Sequence, residues 1–340
     1  MHVLDINEGH RIDRCEMSVF DLERPLPLVI QPRDGERIDL LEVALQKETL
    51  DALLGHYGAI LFRGFDEASK EVFNDFISHV SSDALFYSER SSPRHAVYKN
   101  IYTSTDHPAE KEIVQHSEQS YNKSFPRRIF FYCEKPSEVG GNTPIADARK
   151  IYQRIPKEIV ESFDKRQYRY SRCFWQVMGT TWQTTFQTSE KSKVEEYCRS
   201  NDIHFEWFPD DVLKTYQMRR TTAYHPVTGE PCWFNHCAFF NLLSLDEETQ
   251  EILSCSFEPH ELPNQTFYGD GAIIEDAVVR ALQDAYKAET VEFDWKTGDV
   301  IMIDNMLVTH GRRTYKGERS LLCGMSDITH WEGVQNKPSA

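Results

Sequence analysis

Hydrophobic positions recur at helical spacing in the N-terminal part of the chain and then give way to short apolar runs. Apolar residues three and four apart predict a helix over about 37–57, which ends at Gly58. The segment GAILFRGF, at 58–65, is typical of a short buried strand. EASKEVFNDFISHV, at 67–80, returns to helical spacing and predicts a second amphipathic helix.

From about residue 85 the pattern changes to short strand candidates that a few helical stretches interrupt. Helices are predicted near 149–166, 190–200, 246–254 and 275–288, and a buried strand over Val300–Asp304. Regular alternation of strands and helices would indicate a parallel sheet, but here the helices only interrupt a series of strands. The pattern therefore predicts a mainly β fold with α insertions, a jelly roll decorated by helices.

Composition and charge narrow the class of protein. Apolar residues make up 40% of the 340 residues, which excludes a disordered chain. The longest apolar runs are only strand-sized and the N-terminus lacks a signal-peptide plan, so we expect a cytoplasmic protein without a membrane span. The net charge of −16 opposes binding to nucleic acid. The eight cysteines have no Cys-x-x-Cys spacing and indicate reduced thiols, not a zinc site or a disulfide framework.

The pattern His-x-Glu occurs at His116/Glu118, His204/Glu206 and His330/Glu332. With 13 histidines and 54 acidic residues, about two His-x-Asp/Glu matches are expected by chance, so the pattern alone assigns nothing. His204 lies in a segment of alternating polar and aromatic residues, which predicts a short strand. His330 lies in a polar tail, where we expect none of the rigid support that a metal site needs.

The context of His116 and Glu118 favours a metal site. In a strand, residues i and i+2 point to the same face, so both side chains can reach one ion. His310 follows the predicted strand Val300–Asp304, in what we expect to be a short loop. Two imidazoles and one carboxylate on one face of an octahedral ion leave three positions open, as in non-haem Fe(II) oxygenases. We therefore predict a metal centre formed by His116, Glu118 and His310.

Eight segments spread over about residues 20–330 carry a further signal: GAILFRG, HSEQSY, FFYCEKPSEVGGNTPIAD, TWQTTFQT, CWFNH, YGDG, GDVIMIDN and HGRRTYKGER. Together they resemble the taurine dioxygenase-like Fe(II)/2-oxoglutarate oxygenases, in the branch of clavaminate synthase-like proteins and amino-acid hydroxylases of peptide-antibiotic pathways. The resemblance implies one double-stranded β-helix domain over 1–340, with a lid at about 168–260. It also implies Fe(II), 2-oxoglutarate and O2 as reactants. Halogenating relatives have a small residue at the position that matches 118, so Glu118 favours hydroxylation or another oxidation.

The resemblance further implies how 2-oxoglutarate binds. Arg319 matches the family's anchoring arginine, which can hold a carboxylate through two parallel hydrogen bonds. Thr143 matches the hydroxyl group that assists this arginine, and it follows two glycines that permit close backbone approach. Arg312 and Arg313 are nearer to His310 in the sequence and are the competing candidates.

The substrate that the resemblance implies is an amino acid or an amino-acid-derived small molecule of secondary metabolism, either free or tethered to a carrier protein. Taurine is not expected, because Cys323 occupies the position of the arginine that binds the sulfonate in taurine dioxygenase. Candidate substrate contacts are Gln115, Tyr121, Trp182, Gln187, Asn235 and Cys323. Three alternatives stay open: desaturation or cyclisation with the same cofactors, a Zn²⁺ site that activates water for hydrolysis, and a non-catalytic binding module.

Overall fold

The computed structural model describes residues 1–4, 11–66, 69–82, 96–105, 107–176 and 178–337. Strands dominate this part of the chain, and helices connect them. The described elements therefore confirm a mainly β fold with α insertions. The predicted start of the strand-rich region near residue 85 lies outside the described residues.

The described elements are labelled in chain order. The strands are β1 (His2–Val3), β2 (Cys15–Val19), β3 (Leu28–Pro32), β4 (Ala59–Phe62), β5 (Ala96–Tyr98), β6 (Ile101–Thr103), β7 (Ile113–His116), β8 (Ser124–Lys135), β9 (Val139–Gly140), β10 (Ile145–Asp147), β11 (Tyr168–Phe174), β12 (Ile203–Phe208), β13 (Val212–Arg219), β14 (Thr222–Tyr224), β15 (Pro231–Trp233), β16 (Asn264–Tyr268), β17 (Val300–Asp304), β18 (Val308–Arg312), β19 (Tyr315–Lys316) and β20 (Ser320–His330). The α-helices are α1 (Leu40–Ala44), α2 (Lys47–Tyr57), α3 (Lys70–Val80), α4 (Ala148–Arg154), α5 (Lys157–Arg166), α6 (Trp182–Phe186), α7 (Lys191–Ser200), α8 (Glu247–Ser256), α9 (Asp276–Glu289) and α10 (Trp331–Val334).

Three sheets of the described residues are important for the position of the site. The large sheet has the strand order β1-β2-β3-β4-β17-β8-β20-β6-β5, with β8 paired antiparallel to both β17 and β20. The ligand sheet, named for the two histidines it carries, has the order β10-β18-β7. The outer sheet has the order β12-β13-β11-β16.

The large sheet and the ligand sheet share one hydrophobic core. Phe131 and Ile303 of the large sheet belong to the same buried cluster as Ile145 and Val308 of the ligand sheet. Since successive strand residues point to opposite faces, the alternate residues of β8 and β17 pack on the other side, against the helices α2 and α3. The ligand sheet is thus held against one face of the large sheet.

The helix predicted over 37–57 is divided into α1 and α2. The Asp39 carboxylate accepts the N–H of Leu41 and the Glu42 side chain bonds back to the Asp39 N–H, so α1 begins with a capping box. The helix α2 ends as predicted at Gly58, which has a left-handed φ of +80°. The helical period was correct, and the interruption between the two helices was missed.

The helix predicted over 149–166 is divided in the same way, at Ile155 and Pro156, because proline cannot donate the hydrogen bond that a continuous helix requires. The helices α3, α7, α8 and α9 and the strands β4 and β17 lie where the sequence predicted them. Among the described residues, no helix is long and apolar enough to cross a membrane.

Candidate metal centre

Neighbouring antiparallel strands bring two histidines together. The register of β18 and β7 places His310 directly opposite His116. Cβ atoms at such positions lie about 5 Å apart on one face of the sheet. The two ring centroids are 4.6 Å apart, and one potential ligand atom from each of His116, His310 and Glu118 lies within 4.8 Å of the other two. The structure therefore brings together the three residues that the sequence predicted.

The His116 ring has a fixed orientation. Its Nδ1 lies 2.9 Å from the carbonyl oxygen of Val114. When Nδ1–H donates to this carbonyl, Nε2 carries the lone pair that a metal ion needs. That Nε2 is 3.9 Å from Glu118 Oε2, and the two side chains are only 12% and 3% exposed. The pair is thus withdrawn from solvent and suitably oriented for an ion.

Glu118 reaches the centre from a turn. The strand β7 ends at His116, and residues 117–120 form a buried turn in which Gln119 has a φ of +55°. The expectation that strand alternation aligns His116 with Glu118 is therefore wrong. Asn305 holds the turn, since its Oδ1 accepts the Glu118 N–H at 2.7 Å and its Nδ2 donates to the Glu118 carbonyl at 2.9 Å.

His310 lies inside β18, whereas the sequence predicted a loop. A tight turn after β17 explains the difference: Asp304 Oδ1 accepts the N–H of Met306 at 3.0 Å, and β18 begins shortly afterwards. The next residue, Gly311, permits the approach of β18 to β7. A Cβ at this position would lie 2.6 Å from the carbonyl oxygen of Ile113, so a side chain would push the two strands apart.

A cavity of about 450 Å³ opens over these three residues. Phe239 packs against the His116 ring at a centroid distance of 4.8 Å, and Phe131 packs against His310 at 5.3 Å. Further apolar side chains line the cavity: Ile113, Val114, Phe240, Leu242, Leu245, Leu253 and Leu321. A mostly apolar cavity of this size with a few convergent polar groups is typical of a small-molecule site.

Thr143 and Arg319 line the same cavity. Arg319 Nε donates to the carbonyl of Gly141 at 3.2 Å, and in the described part of the chain no carboxylate pairs with this guanidinium. Burial, and next the charge of Arg312, lower the pKa of Arg319 to about 10. The Thr143 hydroxyl accepts the indole N–H of Trp295 at 3.0 Å, which leaves its own hydrogen for another acceptor.

The competing arginines are engaged elsewhere. Arg312 donates to the backbone carbonyls of His107, Pro108 and Lys111, so it fixes a loop beside the cavity. Arg313 is not among the described residues that line the cavity, and it forms ion pairs with the carboxylates of Glu112 and Glu292. These contacts favour Arg319 as the residue available to an incoming carboxylate.

The residues predicted as substrate contacts do not occur among the described residues that line the cavity. The Gln115 amide bonds with the hydroxyl groups of Thr290 and Thr309, one residue before His116 but on the opposite face. Tyr121 is fully buried in the core. Asn235 holds the backbone of its own loop, with bonds to the Thr221 carbonyl and the Cys237 N–H.

Trp182, Gln187 and Cys323 are likewise not among the described residues that line the cavity. The indole of Trp182 packs edge-on against Trp207 in a cluster beside the outer sheet. Gln187 is exposed and ends α6 in a left-handed conformation. Cys323 is fully buried on the large sheet. A role of these six residues in substrate binding stays a prediction.

Sequence reasoning missed His236 as a residue of the cavity. Its ring centroid lies 5.5 Å from that of His116, and its Nδ1 is 2.6 Å from the Ser120 hydroxyl oxygen. Burial, and next the neighbouring His116, hold the pKa of His236 well below its ordinary value, so the ring is neutral. The segment CWFNH contains this residue, but no local pattern distinguishes it from the other histidines.

The other two His-x-Glu pairs lie away from the centre. His204 is on β12, as predicted for a strand, and stacks on Tyr216 with centroids 4.4 Å apart. His330 ends β20 and is followed by the buried Trp331, whose indole donates to the Ser120 carbonyl at 2.9 Å. The expectation of an unsupported tail at this point is therefore wrong.

Comparison with known proteins agrees with this geometry. The family model described as "Taurine catabolism dioxygenase TauD, TfdA family" matches residues 23–326. The chain belongs to this family. Membership makes it an Fe(II)- and 2-oxoglutarate-dependent oxygenase, with O2 as the oxidant.

Relatives of this TauD/TfdA family member include the dapdiamide synthesis protein DdaC of Enterobacter agglomerans. DdaC is 37% identical over 287 residues, which cover 84% of this chain and 87% of DdaC. A clavaminate synthase-like protein of Arabidopsis thaliana is 28% identical over 320 residues, or 89% of this chain and 94% of that protein. Both relatives match over nearly their full length.

Solved structures share the fold at low sequence identity. PvcB, described as an Fe, alpha-ketoglutarate dependent oxygenase from an isonitrile synthetic pathway, has a TM-score of 0.55 at 14% identity, covering 99% of this chain and 98% of PvcB. AAD-2, solved in complex with Mn(II) and N-oxalylglycine, has a TM-score of 0.54 at 14% identity, covering 93% of this chain and 98% of AAD-2.

Proposed function

We propose that this oxygenase hydroxylates an unactivated C–H bond of an amino acid or an amino-acid-derived small molecule. The observation that carries the proposal is the presence, in one cavity, of the His116, Glu118 and His310 cluster together with Arg319. A 2-His-1-carboxylate set leaves positions open on iron, and a cation is available for the far end of a 2-oxoglutarate molecule.

His116, Glu118 and His310 would hold the iron. Bound iron, with 2-oxoglutarate as the electron-donating cosubstrate, would allow O2 to oxidise a C–H bond, a chemistry that no amino-acid side chain supplies. The part of the protein is to orient the ligands: the Val114 carbonyl directs the His116 ring, and Asn305 holds the backbone of Glu118. Such outer contacts fix ligand geometry in metal sites generally.

Arg319 and Thr143 would bind the distal carboxylate of 2-oxoglutarate. A guanidinium can hold both oxygens through parallel hydrogen bonds, and the Thr143 hydroxyl can donate to one of them because Trp295 already occupies one of its lone pairs. Arg312, buried nearby, adds positive potential without competing for the anion, since its own donors are directed at backbone carbonyls.

The substrate would lie against the wall formed by Phe239, Phe240 and His236. His236 and Phe239 pack beside His116, and Phe240 packs against both of them. All three line the cavity and come from the segment 168–260, which the sequence predicted as a lid. An aromatic wall excludes water from the reacting centre, as oxidation of a C–H bond requires. The similarity to a dapdiamide synthesis protein supports an amino-acid-derived substrate of secondary metabolism, free or carried by a partner protein.

We also infer that the large sheet and the ligand sheet form a double-stranded β-helix within a single domain over 1–340. Their shared core and the position of the metal centre on the ligand sheet support this arrangement. The centre would then lie at the open end of the barrel, where neighbouring strands can supply ligands from different parts of the sequence.

Succinate release from 2-oxoglutarate is the direct test. Protein loaded anaerobically with Fe(II) is exposed to O2 with a panel of free and carrier-bound amino acids, and succinate and oxidised product are both quantified. We expect one panel member to stimulate succinate release, with loss of release in His116→Ala. The matched control is His204→Ala, which alters a His-x-Glu pair on the outer sheet and should leave release unchanged.

The products separate the alternatives. A product heavier by one oxygen atom supports hydroxylation, whereas loss of two hydrogens indicates desaturation or cyclisation. Substrate hydrolysis that requires Zn²⁺ and proceeds without O2 would contradict the oxygenase assignment. Iron and 2-oxoglutarate binding without any stimulated release across the panel would contradict the amino-acid substrate and leave the oxygenase class intact.

A further inference from the structure

The turn at 117–120, which carries Glu118, is unfavourable by itself. Gln119 has a φ of +55°, a region that residues other than glycine seldom adopt and that persists only where the surroundings fix it. The four turn residues are at most 5% exposed. Water therefore cannot stabilise the turn, and its conformation depends on protein contacts.

Asn305 supplies such contacts to Glu118 itself. The side chain is fully buried and makes three hydrogen bonds to backbone: Oδ1 accepts from Glu118 N–H at 2.7 Å, and Nδ2 donates to the carbonyls of Glu118 at 2.9 Å and Pro126 at 2.8 Å. The Asn305 N–H donates to the Arg127 carbonyl at 2.7 Å. Asn305 thus ties Glu118 to β8, a strand of the large sheet.

The far end of the turn has separate support. Trp331 donates to the Ser120 carbonyl at 2.9 Å, and the Ser120 hydroxyl bonds to His236. These contacts act two residues beyond Glu118. They can keep the turn folded when Asn305 is changed, while the position of the Glu118 carboxylate is altered.

We propose that Asn305 is a positioning residue of the metal centre, which fixes the Glu118 carboxylate relative to His116 and His310. The inference rests on the proposed metal-binding function of these three residues. Asn305 would not touch the ion. By hydrogen-bonding to both backbone groups of Glu118, it would prevent that residue from rotating away from the two imidazoles. Less conformational entropy would then be lost when the ion binds.

The test is a Co(II) titration of the metal-free protein, followed by calorimetry, without 2-oxoglutarate or substrate. Asn305→Ala should weaken Co(II) binding by about 10- to 100-fold, the usual effect of losing an outer contact of a metal ligand. The same change in a Glu118→Ala background should alter the affinity by about twofold at most, because the group that Asn305 positions is then absent. Asn305→Asp, which keeps the acceptor for Glu118 N–H at nearly the same shape, repeats the cycle if the alanine variant does not fold.

Gln265→Ala is the matched control, since Gln265 is also a buried side-chain amide that bonds two backbone groups, the N–H groups of Leu242 and Thr266, which lie outside the turn. It should lower the unfolding temperature and leave the Co(II) affinity unchanged. An equal effect of the Asn305 substitution in both backgrounds, or none in either, would overturn the positioning role alone. Wild-type protein that does not bind Co(II) would overturn the metal assignment and this inference with it.

Discussion

Substitution of Arg319 by glutamine should weaken 2-oxoglutarate binding with little effect on metal binding. Within the described residues, the guanidinium hydrogen-bonds only to the Gly141 carbonyl, and Arg319 lines the cavity, so its other donors are available to a bound carboxylate. A hydrogen bond to a charged group contributes about 1.5–3 kcal/mol. Loss of this interaction therefore corresponds to roughly a 10- to 150-fold increase in Kd.

The pH dependence follows from the pKa of Arg319. Burial and Arg312 lower this pKa to about 10. A bound carboxylate stabilises the charged form and raises the pKa again, so the affinity is fully present below about pH 10 and is lost only as pH rises above that value. We therefore expect a constant Kd for 2-oxoglutarate between pH 7 and pH 9.

Calorimetric titration of the Mn(II)-loaded protein with 2-oxoglutarate measures both effects. Arg319→Lys retains the charge but loses the two-pronged geometry, and should give a Kd between those of the wild type and Arg319→Gln. Arg313→Gln is the control, because Arg313 is not among the described residues that line the cavity and its guanidinium is already paired with Glu112 and Glu292. A Kd of Arg319→Gln within a factor of about two of the wild type would refute the assignment, since it implies less than about 0.5 kcal/mol.

Three further substitutions test how the fold supports the site. Gly311→Ala places a Cβ 2.6 Å from the Ile113 carbonyl oxygen. It should lower the unfolding free energy by about 1–3 kcal/mol and also lower the Co(II) affinity. An unchanged Co(II) affinity would show that the strand spacing beside His310 is not critical. Trp295→Phe removes the donor to the Thr143 hydroxyl and should change the Kd of 2-oxoglutarate by roughly 2- to 12-fold, measured by calorimetry, while an unaltered Kd would exclude an orienting role. Gly58→Ala, at φ +80° and with its Cβ 2.5 Å from Val308 Cγ2, should lower the unfolding temperature. Equal stability would contradict the argument that a side chain is strained at this position.

The periodicity of hydrophobic residues predicted most helices and strands correctly, because a few consecutive residues are enough to show the period of each element. The strand β17 has the bounds that the apolar run Val300–Asp304 indicated. The errors occur where one residue ends an element without changing the hydrophobic period. The helix α1 ends at Ala44 and α2 begins at Lys47, and Pro156 separates α4 from α5, although apolar positions continue through both regions.

The metal centre was predictable as a set of residues but not as a geometry. Nothing in the sequence shows that His310 faces His116, because their pairing joins strands far apart in the chain. The positive φ of Gln119 has no sequence signal either, since glutamine rarely adopts it. His236 was missed for the related reason that its place in the cavity depends on contacts with Ser120 and His116, not on neighbours in the chain.

The three candidate ligand residues depend on different parts of the fold, which makes their contributions separable. His116 and His310 are fixed relative to each other by strand pairing, so a change in the spacing of β7 and β18 changes the distance between the two imidazoles. Glu118 is fixed by Asn305, through contacts to a turn that strand pairing does not control. A perturbation of the strands and a perturbation of Asn305 should therefore weaken metal binding independently, with additive free energies. Strong non-additivity between Gly311→Ala and Asn305→Ala would instead show that the turn follows the strand β7 and that Asn305 only stabilises what the sheet already determines.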